Sequence, residues 1–232
     1  MEIKKRKWFI LFNFIIFITT VISVIVTLVF GSWASRKDDG NLYGIHVDYW
    51  MHVVSFTILC NIMLGLIALV STIIGIKCLK QNKELPKGLL TWYLLGVTNG
   101  SLIVLMVVCF LAPLRAMAGK AYFDMLLGPM FHLHFFNPLL MVLCYIFFSG
   151  KRKTAKKARY LSLLPVIIYS APYIICVAII HIWPDFYNLT FNGRNYLLFP
   201  IYIIFMAVIF GISSLLDFCR NRYITYSQNL RN

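Results

Sequence analysis

GPMFHLHFFNPLLMVLCYIFFSGKRKTAKKAR, residues 128–159, sets an apolar run against a basic block. The apolar part is about 20 residues long, enough for one helix to cross a bilayer. Behind it stand Lys151, Arg152, Lys153, Lys156, Lys157 and Arg159, with no acid among them. Short basic loops stay in the cytoplasm, so this block orients the helix. The opposite, outer end then carries His132 and His134. Pro138 has no N–H, so the carbonyl four residues earlier, on His134, loses its helical partner. A free carbonyl beside an imidazole, at membrane depth, needs a polar neighbour or water. The stretch therefore reads as the wall of a polar pocket near the outer face, and a bend is expected between His134 and Pro138.

The rest of the chain repeats this alternation. It is 60% hydrophobic and only 13% charged, and its mean hydropathy is +0.79. That composition is foreign to water-soluble domains of this length. The expectation is an all-α polytopic protein, one integral domain over 1–232. Its six transmembrane helices should lie at about 8–30, 49–76, 89–112, 128–149, 160–183 and 196–216. The first run is too long for a cleaved signal peptide and reads as a retained anchor. Pro165 and Pro172 should kink the fifth helix.

The net charge of +14 invites a nucleic-acid reading, but no nucleic-acid motif accompanies it. Its distribution argues for orientation instead. Seventeen of the 22 Lys and Arg fall in segments assigned to the cytoplasm; the other five are Arg36, Lys37, Arg115, Lys120 and Arg194. Both termini are thus expected inside, with anionic phospholipid headgroups as partners of the basic loops. A multi-pass location in a cell membrane, most simply a bacterial plasma membrane, follows.

Polar residues at membrane depth mark candidate sites. All five histidines, His46, His52, His132, His134 and His181, fall towards the outer side. Counted from Tyr49, Thr57 lies roughly 12 Å down helix 2; counted from Gly128, His134 lies roughly 9 Å down helix 4. The two are expected in one layer. Thr57 shares a helix face with Asn61, four residues on, and His134 shares one with Asn137, three on. Asn99 and Ser101 add polarity from helix 3, and Tyr169 and His181 from helix 5. A threonine hydroxyl attacks a carbonyl once a base takes its proton, and neutral imidazole suits that role. The competing reading is a threonine that bonds its own backbone and packs between helices.

Cys60 and Cys109 are rival nucleophiles, although buried membrane cysteines usually behave as small hydrophobes. No HxxxH or HExxH pair sets two ligands on one helix face, so no metal or other cofactor is expected. The six cysteines form no CxxC, and Cys78 and Cys219 lie beside basic segments. Asn188 opens an NLT sequon in an outer loop.

SFTILCNIMLGL (Ser55 to Leu66) and HFFNPLL (His134 to Leu140) resemble segments of the androgen-induced-gene family of six-helix membrane proteins and its bacterial relatives. WPDFY after helix 5 is similar to an aromatic–proline segment at the same place in the bacterial branch. The likeness spans about Tyr49 to Leu216. It implies hydrolysis of fatty acid esters of hydroxy fatty acids, with Thr57 as nucleophile and His134 as base. An intramembrane lipid-ester hydrolase is therefore the leading expectation. A non-enzymatic lipid-binding or small-solute transport protein, or a lipid acyltransferase with the same site, are the alternatives.

Overall fold

The computed structural model describes residues 2–30, 41–42, 45–46, 54–183, 185, 187, 189–190 and 193–229. Among the described residues, six helices are long and apolar enough to cross a membrane. They are α1 (Glu2–Phe30), α2 (Phe56–Lys80), α3 (Lys87–Met117), α4 (Pro129–Phe148), α5 (Ala158–Ile179) and α6 (Asn195–Asn229). A minimal antiparallel ladder, β1 (Asn41–Leu42) with β2 (Ile45–His46), follows α1.

The helices run further at their basic ends than their apolar runs suggest. α1 takes in the basic N-terminal segment, and α6 continues well past Leu216 to Asn229. Lys5 Nζ donates to Tyr223 Oη at 2.5 Å, and Arg152 pairs with Glu84 at 3.4 Å. The two chain ends and the connections around residues 81–86 and 149–157 thus share one end of the bundle, here the basic end. Lys77 and Lys80 close α2 there, where cations complement the exposed carbonyls of a helix C-terminus.

At the far end two expectations are corrected. α2 begins at Phe56, with Ser55 as N-cap accepting from Ile58 N–H at 3.4 Å, not at Tyr49. Thr57 is therefore in the first turn. α3 continues to Met117, so Arg115 is a helical residue, 1% exposed, and not a solvated outer-loop cation. Its length lets α3 carry a basic residue into packed protein at the far end.

Prolines coincide with changes of helical register. In α4, His132–Phe136 is π-helical, and Asn137 N–H donates to His132 O, five residues back. That wider register carries the helix into Pro138 without demanding the missing N–H. α3 has the same feature at Val107–Leu111, just before Pro113. In α5, Pro165 sits in the first turn of the Leu164–Ile174 stretch, where its missing N–H costs nothing, and the π segment Ile175–Ile179 follows Pro172.

One apolar core draws on all six helices: Phe9 and Ile16 of α1, Leu64 of α2, Tyr93 and Leu94 of α3, Met141 and Tyr145 of α4, Ala158 of α5 and Leu216 of α6. Close approach depends on Gly96, where an added Cβ would lie 2.8 Å from Ile67 Cδ1 and 3.1 Å from Met141 Cε. Polar bonds add to the packing. Thr19 Oγ1 donates to Asn137 Oδ1 at 2.7 Å, Asn137 Nδ2 donates to Thr20 Oγ1 at 3.0 Å, and Tyr93 Oη donates to Asn13 Oδ1 at 2.9 Å. Between helices in lipid, where the hydrophobic drive is absent, such bonds would take its place.

Candidate functional site

Thr57 lies on the wall of a cavity of about 80 Å³ near the far end. The wall is built from the start of α2 (Phe56), the far half of α3 (Leu102, Ile103, Val107), α5 (Tyr169, Tyr173) and Phe205 of α6. Tyr187 and Leu189, from the connection before α6, complete it. The lining is almost wholly apolar, and its polar groups are hydroxyls. A second, larger space of about 280 Å³ lies between α2 and α5, against Leu59, Cys60, Pro165, Ile168 and Pro172. Leu59 and Ile168 are 44% and 69% exposed, so this groove opens on the side of the bundle. Phe56 and Tyr169 line both spaces. Their rings, 5.1 Å apart between centroids, stand between groove and cavity.

The hydroxyls of the cavity differ in what they bond. Tyr187 Oη accepts the backbone N–H of Phe56 at 2.8 Å, one of the donors a helix start leaves without an intrahelical partner. Burial pushes this phenol up to about 12, partly offset by the Phe56 N–H, so it stays protonated near neutral pH. Asp185 holds the connection in shape: it accepts Leu189 N–H at 2.9 Å, Thr190 N–H at 2.7 Å and the Tyr173 hydroxyl at 2.5 Å. The Ser170 hydroxyl donates to Val166 O. Among the described residues, no hydrogen bond joins Thr57 Oγ1 to another side chain.

His134 is 4% exposed. Its Nδ1 lies 2.7 Å from Met125 O. A carbonyl can only accept, so Nδ1 carries the proton and Nε2 carries the lone pair. This is the tautomer a general base requires. His134 is nevertheless not part of the cavity wall, and no hydrogen bond joins it to Thr57. Asn61 links the two helices. Its Nδ2 donates to Thr57 O at 2.9 Å and to Leu133 O at 3.0 Å. One amide nitrogen thus reaches the carbonyls of Thr57 on α2 and of Leu133, beside His134, on α4. The depth of Thr57 counted from Tyr49 does not hold, because α2 begins at Phe56.

The other sequence candidates have separate settings. Asn137 is bonded through both amide atoms to Thr19 and Thr20 of α1. Asn99 Nδ2 donates to Leu95 O and to Ser162 O of α5, and the Ser101 hydroxyl donates to Val97 O. His132 packs edge-on to Phe131 and Phe136. His181 follows α5 with φ +59° and bonds Val177 O through Nδ1 at 2.9 Å. Cys60 is buried against Ile103 and Val107, and Cys109 is exposed. No group of His, Cys, Asp or Glu among the described residues is placed to hold a metal ion. His52, Asp38, Asp39, Asp48, Asn188, Pro184, Phe186 and the side chain of His46 lie outside the described residues.

Sequence reasoning gave Tyr169 only a side role and overlooked Tyr173, Tyr187 and Asp185. The signal available was the spacing of Tyr169 and Tyr173, four apart and hence on one face of α5.

No family model, no curated protein and no solved structure matches this chain.

Proposed function

We propose that this protein is a multi-pass membrane enzyme that hydrolyses lipid esters within the bilayer, with Thr57 as nucleophile and His134 as base. The observation that carries the reading is Thr57 itself, a hydroxyl on the wall of an apolar cavity that adjoins a sideways-opening groove. An acyl chain suits that lining, and an ester carbonyl is the part of such a molecule that a hydroxyl can attack. His134 Nε2 takes the Thr57 proton through water. Thr57 Oγ1 bonds to the acyl carbon, the ester C–O bond breaks, and the leaving alkoxide recovers the proton as alcohol. Water then attacks the acyl-threonine, releasing the fatty acid and restoring Thr57. The resemblance of SFTILCNIMLGL and HFFNPLL to the androgen-induced-gene family supports the same pair. With an alcohol in place of water the site would be an acyltransferase.

In this reading the basic end faces the cytoplasm of a bacterial plasma membrane, and anionic headgroups meet Lys5, Arg6 and Lys151 there. Reporter fusions after Asn82 and Thr154 are expected to read inside, and those after Gly40, Met117 and Asn192 outside. One reversed fusion contradicts this orientation.

A lipid-binding protein without catalysis is the second reading, favoured by the absence of a hydrogen bond between Thr57 and His134. A transport path is disfavoured by the fully buried apolar layer of Leu64, Leu90, Tyr93 and Leu94 towards the basic end. The two main readings separate on labelling of the purified protein with an alkyl fluorophosphonate. The hydrolase is expected to be labelled at Thr57, with no labelling in Thr57→Ala. Absence of labelling, or labelling that survives Thr57→Ala, leaves the binding protein in front.

A further inference from the structure

The geometry points to Tyr169 as the group that recognises a ligand carbonyl in this cavity, its phenol O–H donating to the ester oxygen beside Thr57. Tyr169 Oη is buried and makes no hydrogen bond. Its polar neighbours are Phe56 N–H and Tyr187 Oη, which accepts that N–H and does not meet Tyr169 Oη at hydrogen-bonding geometry. The proton of Tyr173 is taken by Asp185 and that of Ser170 by Val166 O. Tyr169 therefore holds a donor without a hydrogen-bonded acceptor, in a wall whose only other polar groups among the described residues are hydroxyls. A buried donor without an acceptor is disfavoured, and a ligand that brings an acceptor removes that penalty.

The position fits an ester. Tyr169 packs on Phe56 at 5.1 Å and on Tyr173 at 5.7 Å, so its ring is held between two aromatic neighbours. It stands where the groove meets the cavity. A chain lying in the groove would bring its carbonyl to this junction, next to Thr57 on the adjoining residue of α2. When Thr57 attacks, the carbonyl oxygen gains negative charge, and a donor already in place binds that charge more tightly than the neutral ester. Phe56 N–H is committed to Tyr187 and is not available for this task.

The inference takes the ester class from the hydrolase reading, but its test is independent of turnover. Full-length protein in nanodiscs is mixed with a long-chain methyl ester labelled with ¹³C at the carbonyl, and the carbonyl stretch is followed by infrared spectroscopy. Wild type and the inert Thr57→Ala are both expected to show a band shifted to lower frequency than the ester in lipid alone. Tyr169→Phe is expected to return that band to the lipid position and to unfold at an unchanged or higher temperature, since it deletes an unpaired hydroxyl. Where wild type turns the ester over, Tyr169→Phe should lower kcat about 10²–10³-fold, the loss typical of one oxyanion donor, with KM little changed. A shifted band without turnover would defeat the hydrolase and keep Tyr169. Turnover that Tyr169→Phe leaves intact would keep the hydrolase and defeat Tyr169. A band unshifted in wild type, or equally shifted in Tyr169→Phe, overturns the inference, and the wild-type band alone decides if the variant does not fold.

Discussion

Arg220→Met is expected to destabilise the protein by about 3–5 kcal/mol, the range for removing one partner from a buried charged network. Arg220 is 0% exposed. Its Nε donates to Ser149 Oγ at 2.8 Å, Nη1 to Thr154 Oγ1 at 3.3 Å, and Nη2 to Gly150 O at 3.2 Å and Arg152 O at 2.8 Å. The guanidinium also lies over the Tyr145 ring, 5.1 Å from its centroid, close to the Asp217 carboxylate, which Arg159 grips at 2.6 Å. Methionine fills similar volume but strands two backbone carbonyls and a serine hydroxyl. Lysine restores the charge but not the planar fork that reaches four acceptors, so Arg220→Lys should recover only part of the loss. Ser149→Ala removes one bond and should cost about 1 kcal/mol. Denaturant unfolding in detergent gives the ranking. An Arg220→Met protein as stable as wild type would reduce this cluster to a surface contact.

Arg220 also marks where sequence reading stops. In DFCRNRY it looks like any basic juxtamembrane residue, and only Asp217, an acid three residues away on the same helix face, hints at burial. The apolar runs themselves are legible because each must cover about 30 Å of hydrocarbon or an equivalent core. All six appear in the structure at the expected places in the chain. Their ends are less legible, because a helix continues past its apolar run as long as the backbone is bonded and the side chains find partners. Lys5 on Tyr223 and Arg115 in packed protein are both of this kind. The candidate site suffered from the same limit. Starting α2 at Tyr49 instead of Phe56 set Thr57 nearly two turns too deep within its helix. Asn61, named from its spacing to Thr57, does bond Thr57 O, since i, i+4 geometry survives an error in where the helix starts. Tyr187 could not be foreseen at all: it reaches Phe56 N–H from 131 residues away in the chain.

The largest functional effects are expected at Thr57 and His134. Thr57→Ala should abolish ester hydrolysis, because the acyl-enzyme bond has no other oxygen to form on. Thr57→Ser should keep measurable activity, since the hydroxyl survives. The loss at His134 follows from its acting on Thr57 without a direct hydrogen bond. A base acting through water contributes about 10²–10⁴-fold, so His134→Ala should lose that much in kcat. His134→Gln should do no better, as an amide cannot take the proton. The double variant Thr57→Ala/His134→Ala should be no slower than Thr57→Ala, since residues that act as a unit are not additive. His132→Ala, which alters a ring packed between Phe131 and Phe136, should leave kcat within a few-fold. Initial rates on a long-chain ester, with protein folding checked by unfolding midpoint, decide the matter. If Thr57→Ala is inert while His134→Ala is fully active, the nucleophile stands and His134 is not its base.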